Sequence, residues 1–328
     1  MSKLVTIYGG SGFLGRYIAR RLAREGWRIR IACRRPNEAL FTKPYGAVGQ
    51  VEPVLCNIRD AASVRAAMQG ADAVVNCVGI LAESGKNRFD AVHVEGARLI
   101  ARTAAELGVA RLVHVSALGA DAELSSAYAR SKAAGEAAVR GAFPSAVILR
   151  PSVMFGTEDH FFNKLAALSL IGPVMAVVAP KTRLQPVYVD DVARVAVLAL
   201  DGGVEGTCEL GGPDVDTMRG LATRMLGVIE RRRGVIGLPG FVAAIIATLG
   251  DTVQGATFGL VSNKLLTRDQ LRGLKVDNIV SPDAQSFDTL GIVPTAMGAV
   301  LPDYLWRFRK SGQYEAIKAS AKNLRKTL

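Results

Sequence analysis

The 328-residue sequence is poor in cysteine and in aromatic residues. Its four cysteines lie far apart and form no Cys-x-x-Cys pair; they are Cys33, Cys56, Cys77 and Cys208. This spacing suggests neither a zinc site nor a disulfide framework, so we expect no metal ion and a reducing compartment. Aromatic residues make up 6% of the chain and no nucleic-acid-binding motif is visible, so nucleic acid is not an expected partner.

Long apolar runs are also missing. The two longest uncharged stretches, residues 165–180 and 234–250, contain 16 and 17 residues and are interrupted by glycine and proline. A helix needs about 20 apolar residues to cross a bilayer. We therefore expect a chain that is soluble or lies against a membrane. No signal peptide is expected, because the first three residues lead directly into a strand-like run.

Acidic residues are fewer than basic residues. The chain has 29 Asp and Glu and 41 Lys and Arg, which gives a net charge of +12. Such a charge favours an acidic partner, such as an anionic lipid surface or an acidic protein face. Arg231, Arg232 and Arg233 directly precede the apolar stretch 234–250. This order predicts cations at lipid headgroups beside an apolar face that packs on the membrane or on a partner subunit. An ordinary buried helix behind a solvated charge run is the alternative.

The end of the chain is a second basic region, because residues 303–328 contain seven Lys or Arg and two acidic residues. Trp306, Phe308 and Tyr314 alternate there with basic residues. Aromatic residues and arginine are the types that anchor protein interfaces. We therefore expect the basic tail to contact a partner.

The first half of the sequence alternates short Val- and Ile-rich runs with Ala- and Arg-rich helical stretches. This alternation is typical of a parallel sheet with crossover helices, so the predicted fold class is α/β with a Rossmann-type doubly wound sheet. The predicted strands are 4–8, 28–33, 51–56, 73–78, 112–116 and 146–149, and the clearest helices are 13–25, 63–69, 89–107 and 128–140. We predict a large domain over 1–232 and a smaller, mostly helical one over 233–328, to which 156–183 contributes.

The first predicted strand runs into Gly-Gly-Ser-Gly-Phe-Leu-Gly, residues 9–15. Three glycines at this spacing between a strand and a helix let backbone amides approach a pyrophosphate, which the positive end of the helix attracts. The turn therefore predicts a dinucleotide site, with a merely structural turn as the alternative. Its expected contacts are Gly9, Gly12, Phe13, Leu14 and Gly15.

Two arginines indicate which dinucleotide to expect. NAD-binding domains place an acid at the end of the second strand to bind the ribose 2′-hydroxyl, whereas this sequence has Arg34 and Arg35 there. Guanidinium groups bind phosphate in a bidentate manner. The pair favours NADPH over NADH, and two solvated surface arginines are the alternative.

A further group of polar residues follows the fifth strand. Tyr128 and Lys132 are four residues apart on a predicted helix, so they face the same side and the ammonium is expected to lower the pKa of the phenol. Ser116 ends the strand before this helix, where its hydroxyl is placed to bind a substrate oxygen. The three residues are candidate catalytic groups, or contacts to a cofactor only.

With Arg150-Pro151 and the stretch 187–193, these motifs resemble the short-chain dehydrogenase/reductase superfamily, in its extended or atypical branch. The resemblance covers about the first 200 residues. It implies cofactor contacts from Asn57 and Ile58 at the adenine, from Cys77, Val78 and Gly79 along the cofactor, and from Pro151 and Ser152 near the nicotinamide.

Two positions depart from the extended pattern. His93 and Ala97 stand where its members usually have Asn and Thr. No metal-binding cluster accompanies this histidine in the sequence, so we expect His93 to be structural and not catalytic.

A more specific resemblance is to the nucleotide-binding accessory subunits of respiratory complex I, the NADH:ubiquinone oxidoreductase. Residues 109–121, 128–166 and 305–314 carry it. The resemblance implies NADPH held tightly in a structural role and other complex I subunits as partners. It also implies a peripheral position at the cytoplasmic face of a bacterial inner membrane.

A free-standing enzyme is the alternative hypothesis. In it the chain is an NADP-dependent reductase, epimerase or dehydratase acting on a small carbonyl or sugar-nucleotide substrate. Tyr128 would donate the proton, Lys132 would tune its pKa and Ser116 would polarise the carbonyl. Retention of these three residues favours the enzyme, whereas the basic, apolar C-terminal third favours the subunit.

Overall fold

The protein was analysed as a computed structural model that describes residues 2–256, 266–310 and 312–314. Its strands are β1 (Leu4–Tyr8), β2 (Arg28–Cys33), β3 (Val51–Leu55), β4 (Ala73–Asn76), β5 (Arg111–Val115), β6 (Val147–Pro151), β7 (Met154–Phe155), β8 (Val174–Val177), β9 (Arg183–Leu184), β10 (Val187–Tyr188), β11 (Thr207–Leu210), β12 (Asp216–Thr217) and β13 (Gly234–Gly237). Its α-helices are α1 (Phe13–Arg24), α2 (Ala61–Met68), α3 (Gly96–Glu106), α4 (Ala127–Ala142), α5 (Phe162–Leu168), α6 (Val189–Leu200), α7 (Met218–Val228), α8 (Gly240–Ala256), α9 (Arg268–Gly273) and α10 (Met297–Leu305).

The central sheet has seven strands in the order β11-β6-β5-β4-β1-β2-β3. All neighbouring strands are parallel. Every residue of β1 and β4 is buried, as expected for strands with helices on both faces. The six predicted strands and the doubly wound α/β class are confirmed. The order reverses between β1 and β4, which is where such sheets open a crevice at the carboxyl ends of the strands.

Helices cover both faces of the sheet and enclose two apolar cores. On one face α1 and α6 pack their buried side chains, such as Ile18 and Val192, against the strands. On the other face α2, α3 and α4 do the same with residues such as Met68 and Ile100. The predicted helix 89–107 begins with a π-helical segment, Asp90–Glu95, which continues as α3.

A third apolar core lies outside the sheet. It joins α5, α7 and α10 through Phe162, Leu221 and Leu301, each 0% exposed. Three two-stranded pairs flank it, β7 with β10, β9 with β12 and β8 with β13. The C-terminal region is helical, as predicted. Its core combines residues from both sides of position 232, and the proposed domain boundary there stays a prediction.

The basic end of the chain is described only in part. Phe308 packs against the third core, and Trp306 is 37% exposed. Residues 315–328, which include much of the predicted basic tail, lie outside the described residues. In the described parts, no helix has the length and apolar character needed to span a membrane.

Candidate nucleotide-binding site

The glycine turn between β1 and α1 is closely packed. Gly9 has a φ of +74°, which favours glycine, and its N–H donates to Ala32 O at 3.0 Å. A Cβ atom on Gly15 would lie 2.5 Å from Gly9 O and 2.6 Å from Gly10 Cα. Glycine is therefore required at both positions for the strand to turn directly into the helix.

The N-terminal end of α1 is the part of this turn that is suited to bind an anion. Gly12 is its N-cap, no side chain caps it, and the first turn contains no acidic residue. The first N–H groups of a helix have no partner within the helix, and the helix dipole is positive there. Together with the glycine cradle, this end fits a pyrophosphate.

Arg34 and Arg35 lie where predicted, directly after β2, and both are exposed. Arg34 Nη1 donates to Asn87 Oδ1 at 3.3 Å, whereas Arg35 Nη1 forms an ion pair with Glu38 Oε1 at 2.9 Å. Arg34 is bonded to a neutral amide and keeps its charge available. Sequence reasoning missed Glu38, which compensates the charge of Arg35.

Asn57 and Ile58 follow β3 at the carboxyl edge of the sheet, the edge at which the glycine turn also follows β1. Asn57 Oδ1 accepts from the N–H of Arg59 at 3.2 Å, and a Cβ on Gly96 would lie 2.7 Å from Ile58 Cδ1. Arg59 Nη1 also donates to Lys86 O at 2.8 Å. Neither Arg59 nor the loop that carries Lys86 and Asn87 was predicted to contribute to the site, although Arg59 and Lys86 are basic residues visible in the sequence.

Cys77, Val78 and Gly79 follow β4 and meet the glycine turn. The N–H of Cys77 donates to Tyr8 O at 2.9 Å. A Cβ on Gly9 would lie 3.2 Å from Cys77 C and O. A Cβ on Gly79 would lie 3.3 Å from Lys132 Nζ. This segment therefore connects the glycine turn with the Ser, Tyr and Lys group.

The structure brings Ser116, Tyr128 and Lys132 to the carboxyl end of β5. Lys132 Nζ donates to Val115 O at 3.2 Å and lies 6.0 Å from the centre of the Tyr128 ring. Ser116 is buried, and its Oγ atom has no hydrogen-bond partner. An orphaned buried hydroxyl is costly, so this atom is suited to a bound group that the protein itself does not provide.

Burial governs the protonation of these residues. It raises the pKa of Tyr128 to about 12, so the predicted lowering by Lys132 is wrong. Desolvation lowers the pKa of Lys132 to about 8, against the opposing effect of Glu136. At neutral pH the phenol is therefore protonated, so it can donate a hydrogen bond or a proton but cannot take up a proton as a base.

His93 links the loop after β4 to α4. Its Nε2 accepts from the N–H of Ile80 at 3.0 Å, so the neutral ring must carry its proton on Nδ1, which lies 2.8 Å from Ser131 Oγ. Ser131 Oγ in turn donates to Tyr128 O at 2.8 Å. Burial and the charge of Lys132 lower the pKa of His93 to about 3. The structural role expected for this histidine fits these bonds.

The C-terminal region closes the site at Pro151 and Ser152. Pro151 ends β6, and Ser152 Oγ donates to Asn278 Oδ1 at 2.6 Å. Asn278 Nδ2 donates to Leu118 O at 2.9 Å. The predicted contact residue Ser152 is therefore already bonded within the chain. Asn278 is 126 residues away in sequence, and no local signal pointed to it.

Asp269 positions the helix that carries Tyr128. Its carboxylate accepts from Ser126 Oγ at 2.9 Å, from Ala127 N at 2.6 Å and from Tyr128 N at 3.0 Å. A carboxylate at this end stabilises α4 through the helix dipole. Sequence reasoning missed Asp269 as well, because the contact spans more than 140 residues.

The stretch 156–163 joins α1 to the C-terminal region. Glu158 accepts from Arg16 Nη1 at 3.2 Å and from Tyr17 Oη at 2.9 Å. Next to it, the buried Asp159 accepts from Tyr304 Oη at 2.5 Å. Helices α1 and α10 are thus held by adjacent acidic residues.

The ligand types found near the site indicate the kind of group it suits. The described residues contain no group of three or more His, Cys, Asp or Glu side chains that could hold a metal ion. The donors that do converge, which are backbone amides, guanidiniums and hydroxyls, suit a phosphorylated organic cofactor.

Comparison with known proteins agrees with this fold. The chain is 36% identical over 322 residues to "NADH dehydrogenase [ubiquinone] 1 alpha subcomplex subunit 9, mitochondrial" of Arabidopsis thaliana, a match that covers 94% of this chain and 79% of the relative. It is 35% identical over 207 residues to "Ceramide reductase" of Caulobacter vibrioides, covering 63% of this chain and 64% of the relative.

The fold is also found in solved structures. The crystal structure of gox2253 superposes with a TM-score of 0.71 at 22% identity, over 95% of this chain and 99% of that one. The profile of the NAD dependent epimerase/dehydratase family matches residues 5–210, which include the glycine turn, the Ser, Tyr and Lys group and the whole central sheet. The chain therefore belongs to the NAD dependent epimerase/dehydratase family.

Proposed function

We propose that the chain is an accessory subunit of a respiratory complex I, an NADH:quinone oxidoreductase, and that it holds NADPH without turning it over. The observation that carries this proposal is the extent of similarity. The relative named as a complex I subunit matches 94% of this chain, including most of the C-terminal region, whereas the match to ceramide reductase covers 63%. In a complex I subunit, the C-terminal region would have the function of contacting the rest of the assembly.

The residues around the glycine turn support a phosphorylated dinucleotide. Gly9, Gly12 and Gly15 with the first amides of α1 would hold the pyrophosphate, and Arg34 would bind a 2′-phosphate. Asn57, Ile58 and Val78 would contact the adenine side. The nicotinamide is the end of NADPH that can carry a hydride, and the residues Ser116, Tyr128 and Lys132 would hold that ring.

One feature supports retention without turnover. Ser152 Oγ is already bonded to Asn278 from the C-terminal region, so this hydroxyl is not free for a substrate carbonyl, and the unpartnered Ser116 Oγ would be satisfied by the cofactor. A nucleotide that binds only the folded chain would stabilise it by mass action. The Ser, Tyr and Lys group then serves as a set of cofactor contacts.

Membrane contact and location are further parts of the proposal. The Arg231 to Arg233 run and the apolar helix α8 support a peripheral position against an anionic membrane. In a bacterium this would be the cytoplasmic face of the inner membrane. Complex I subunits would contact the rest of the C-terminal region.

Gentle solubilisation of native membranes tests the assembly role. After separation on a native gel, the chain should comigrate with NADH:quinone reductase activity. Recovery of the chain only as a soluble, monodisperse species would contradict the proposal.

A free-standing NADP-dependent reductase is the second candidate. The convergence of Ser116, Tyr128 and Lys132 at one strand end favours it, and so does the likeness to a protein named as a ceramide reductase. Tyr128→Phe separates the two candidates. A scaffold should keep its nucleotide and its partners, whereas a reductase with Tyr128 as proton donor should lose its turnover and keep NADPH binding.

A further inference from the structure

The C-terminal region contains a cavity of about 710 Å³ that is lined by four arginines, Arg219, Arg231, Arg232 and Arg233. The other lining residues are uncharged. Within the described parts of the chain, none of the four guanidiniums forms an ion pair with a carboxylate; the adjacent Glu230 pairs with Arg309 instead. The cavity therefore concentrates positive charge that the protein leaves uncompensated.

Backbone contacts hold two of these arginines in place. Arg231 Nε donates to Phe308 O at 2.8 Å, and Arg233 Nε donates to Ser169 O at 3.2 Å. Both bonds use Nε and leave the terminal amino groups of the guanidinium for another acceptor. Like charges gathered this closely repel each other, so a bound anion would relieve the repulsion.

Helix α8 begins three residues after β13, whose first residues line the cavity, and it faces solvent with its large side chains. Among its described side chains, those of residues 240–252, the fully buried ones are Ala243 and Ala247, at 0% exposure. Phe241, Ile245 and Leu249 are exposed by 70%, 55% and 62%. Since these three follow each other at intervals of four, they form one apolar stripe.

The pair of strands β8 and β13 also exposes apolar side chains. Their outward side chains Val174 and Ile236 are 50% and 51% exposed, and Ile171 just before β8 is 80% exposed. Contiguous exposed apolar side chains on a folded chain mark sites of interaction with protein or membrane. We call the α8 stripe and these three side chains the apolar face.

We propose that this region docks on an anionic phospholipid surface, with lipid phosphate groups in the arginine cavity and the apolar face buried among the acyl chains. A phospholipid is the favoured partner because it presents anionic phosphate groups next to apolar acyl chains. An amphipathic element binds at the boundary between the two. The distance along the chain also fits: Gly234 at the cavity and Phe241 on the stripe are separated by at most about 25 Å. The proposal deepens the membrane contact proposed above. Its test requires neither nucleotide nor complex I, so the two can fail separately.

Vesicle flotation of the full-length chain tests the proposal. Vesicles of phosphatidylcholine alone are compared with vesicles that also contain phosphatidylglycerol. We expect binding to the anionic vesicles only, and loss of this binding at high salt. The variant Arg219→Gln/Arg232→Gln removes the two cavity arginines whose guanidinium groups are not among those bonded to a backbone carbonyl, and should lower the partition coefficient about 30-fold.

The matched control is Arg24→Gln/Arg194→Gln, which removes the same charge from exposed arginines on α1 and α6. It should bind nearly as the unchanged chain does. Phe241→Gln should lower binding about tenfold, and Val293→Gln, at a residue 87% exposed elsewhere, should not. Thermal unfolding of each variant excludes misfolding as the cause.

Three results would overturn the proposal. One is equal binding to neutral and anionic vesicles, and another is an equal loss in the cavity and control variants. The third is calorimetric binding of inorganic phosphate that depends on Arg219 and Arg232 in a chain that binds no vesicles, since this would make the cavity a site for a soluble anion.

Discussion

Helices α1 and α8 are built in opposite ways. Helix α1 buries its large apolar residues Leu14, Ile18 and Leu22, at 4%, 0% and 0% exposure, and ends on the exposed Arg24. Helix α8 buries alanines and exposes Phe241 and Leu249. The apolar side of α1 is buried within the chain, whereas the large apolar side chains of α8 face solvent.

The same contrast separates the two regions to which these helices belong. The nucleotide region has apolar cores on both faces of its sheet, and the uncapped start of α1 and Ser116 Oγ are the places proposed to meet a small ligand. The C-terminal region has a core of its own but leaves an apolar face and an uncompensated arginine cavity. One region is expected to respond to nucleotide and the other to a membrane or a partner, and four experiments can break or sharpen this division.

The largest effect is expected from Arg34→Ala/Arg35→Ala. If both arginines bind a 2′-phosphate, NADPH affinity should fall by about 3–6 kcal/mol, because a hydrogen bond to a charged group contributes about 1.5–3 kcal/mol. Affinity for NADH should change far less. Calorimetric titration with both nucleotides measures the difference, and Arg24→Ala/Arg28→Ala is the charge-matched control.

Equal losses for NADPH and NADH would exclude the 2′-phosphate role. The single variants refine the result. Because Arg35 is paired with Glu38, Arg34→Ala should account for the larger share.

The next effect concerns the glycine cradle. A Cβ on Gly15 would meet Gly9 O and Gly10 Cα, so Gly15→Ala should lower the free energy of unfolding by about 1–3 kcal/mol and reduce stabilisation by NADPH. Thermal unfolding with and without nucleotide measures both quantities. Gly141→Ala is the control, since its Cβ would meet no atom within 4 Å and should be neutral or stabilising. Full NADPH stabilisation of Gly15→Ala would contradict the assignment of the cradle.

A smaller effect is expected from pH. His93 has its pKa lowered from 6.5 to about 3 in the folded chain, so below pH 6.5 the unfolded state binds the proton and stability falls with decreasing pH. Between pH 7 and 5.5 this loss amounts to about 1 kcal/mol for one histidine. Urea unfolding should show that His93→Asn loses less stability over this interval than the unchanged chain. An identical pH dependence in both proteins would mean that His93 is not held neutral.

The smallest change in the free energy of unfolding is expected from a substitution on the apolar face. Phe241→Gln should change the free energy of unfolding by less than about 0.5 kcal/mol, because its side chain is 70% exposed. Ile18→Ala on α1 should lower it by about 2–5 kcal/mol. Denaturant titration of both variants makes the comparison directly. A large loss for Phe241→Gln would show that α8 is packed within the chain.

Much of the nucleotide region could be predicted from the sequence because its signals are local. Strand runs, the glycine turn and the four-residue spacing of Tyr128 and Lys132 depend on neighbours along the chain. Strand β11 was missed because Thr-Cys-Glu-Leu has a single large aliphatic residue and no apolar alternation.

The rest depended on contacts that join distant parts of the chain. Asp269 at the start of α4 and Asn278 at Ser152 are such contacts, and no pattern within a segment reveals them. The pKa of Tyr128 was predicted in the wrong direction, because the degree of burial is a property of the folded chain. Likewise, the sequence placed arginines next to an apolar stretch, but only the fold reveals that they line one cavity.

The most direct test of the central claim follows the nucleotide itself. The chain is isolated with its copurifying proteins from native membranes, its bound nucleotide is released and identified, and a parallel sample is supplied with NADH and quinone during turnover. The account predicts stoichiometric NADPH that stays reduced and bound while NADH is consumed. Absence of a phosphorylated dinucleotide, or oxidation of the bound NADPH at the rate of quinone reduction, would contradict it.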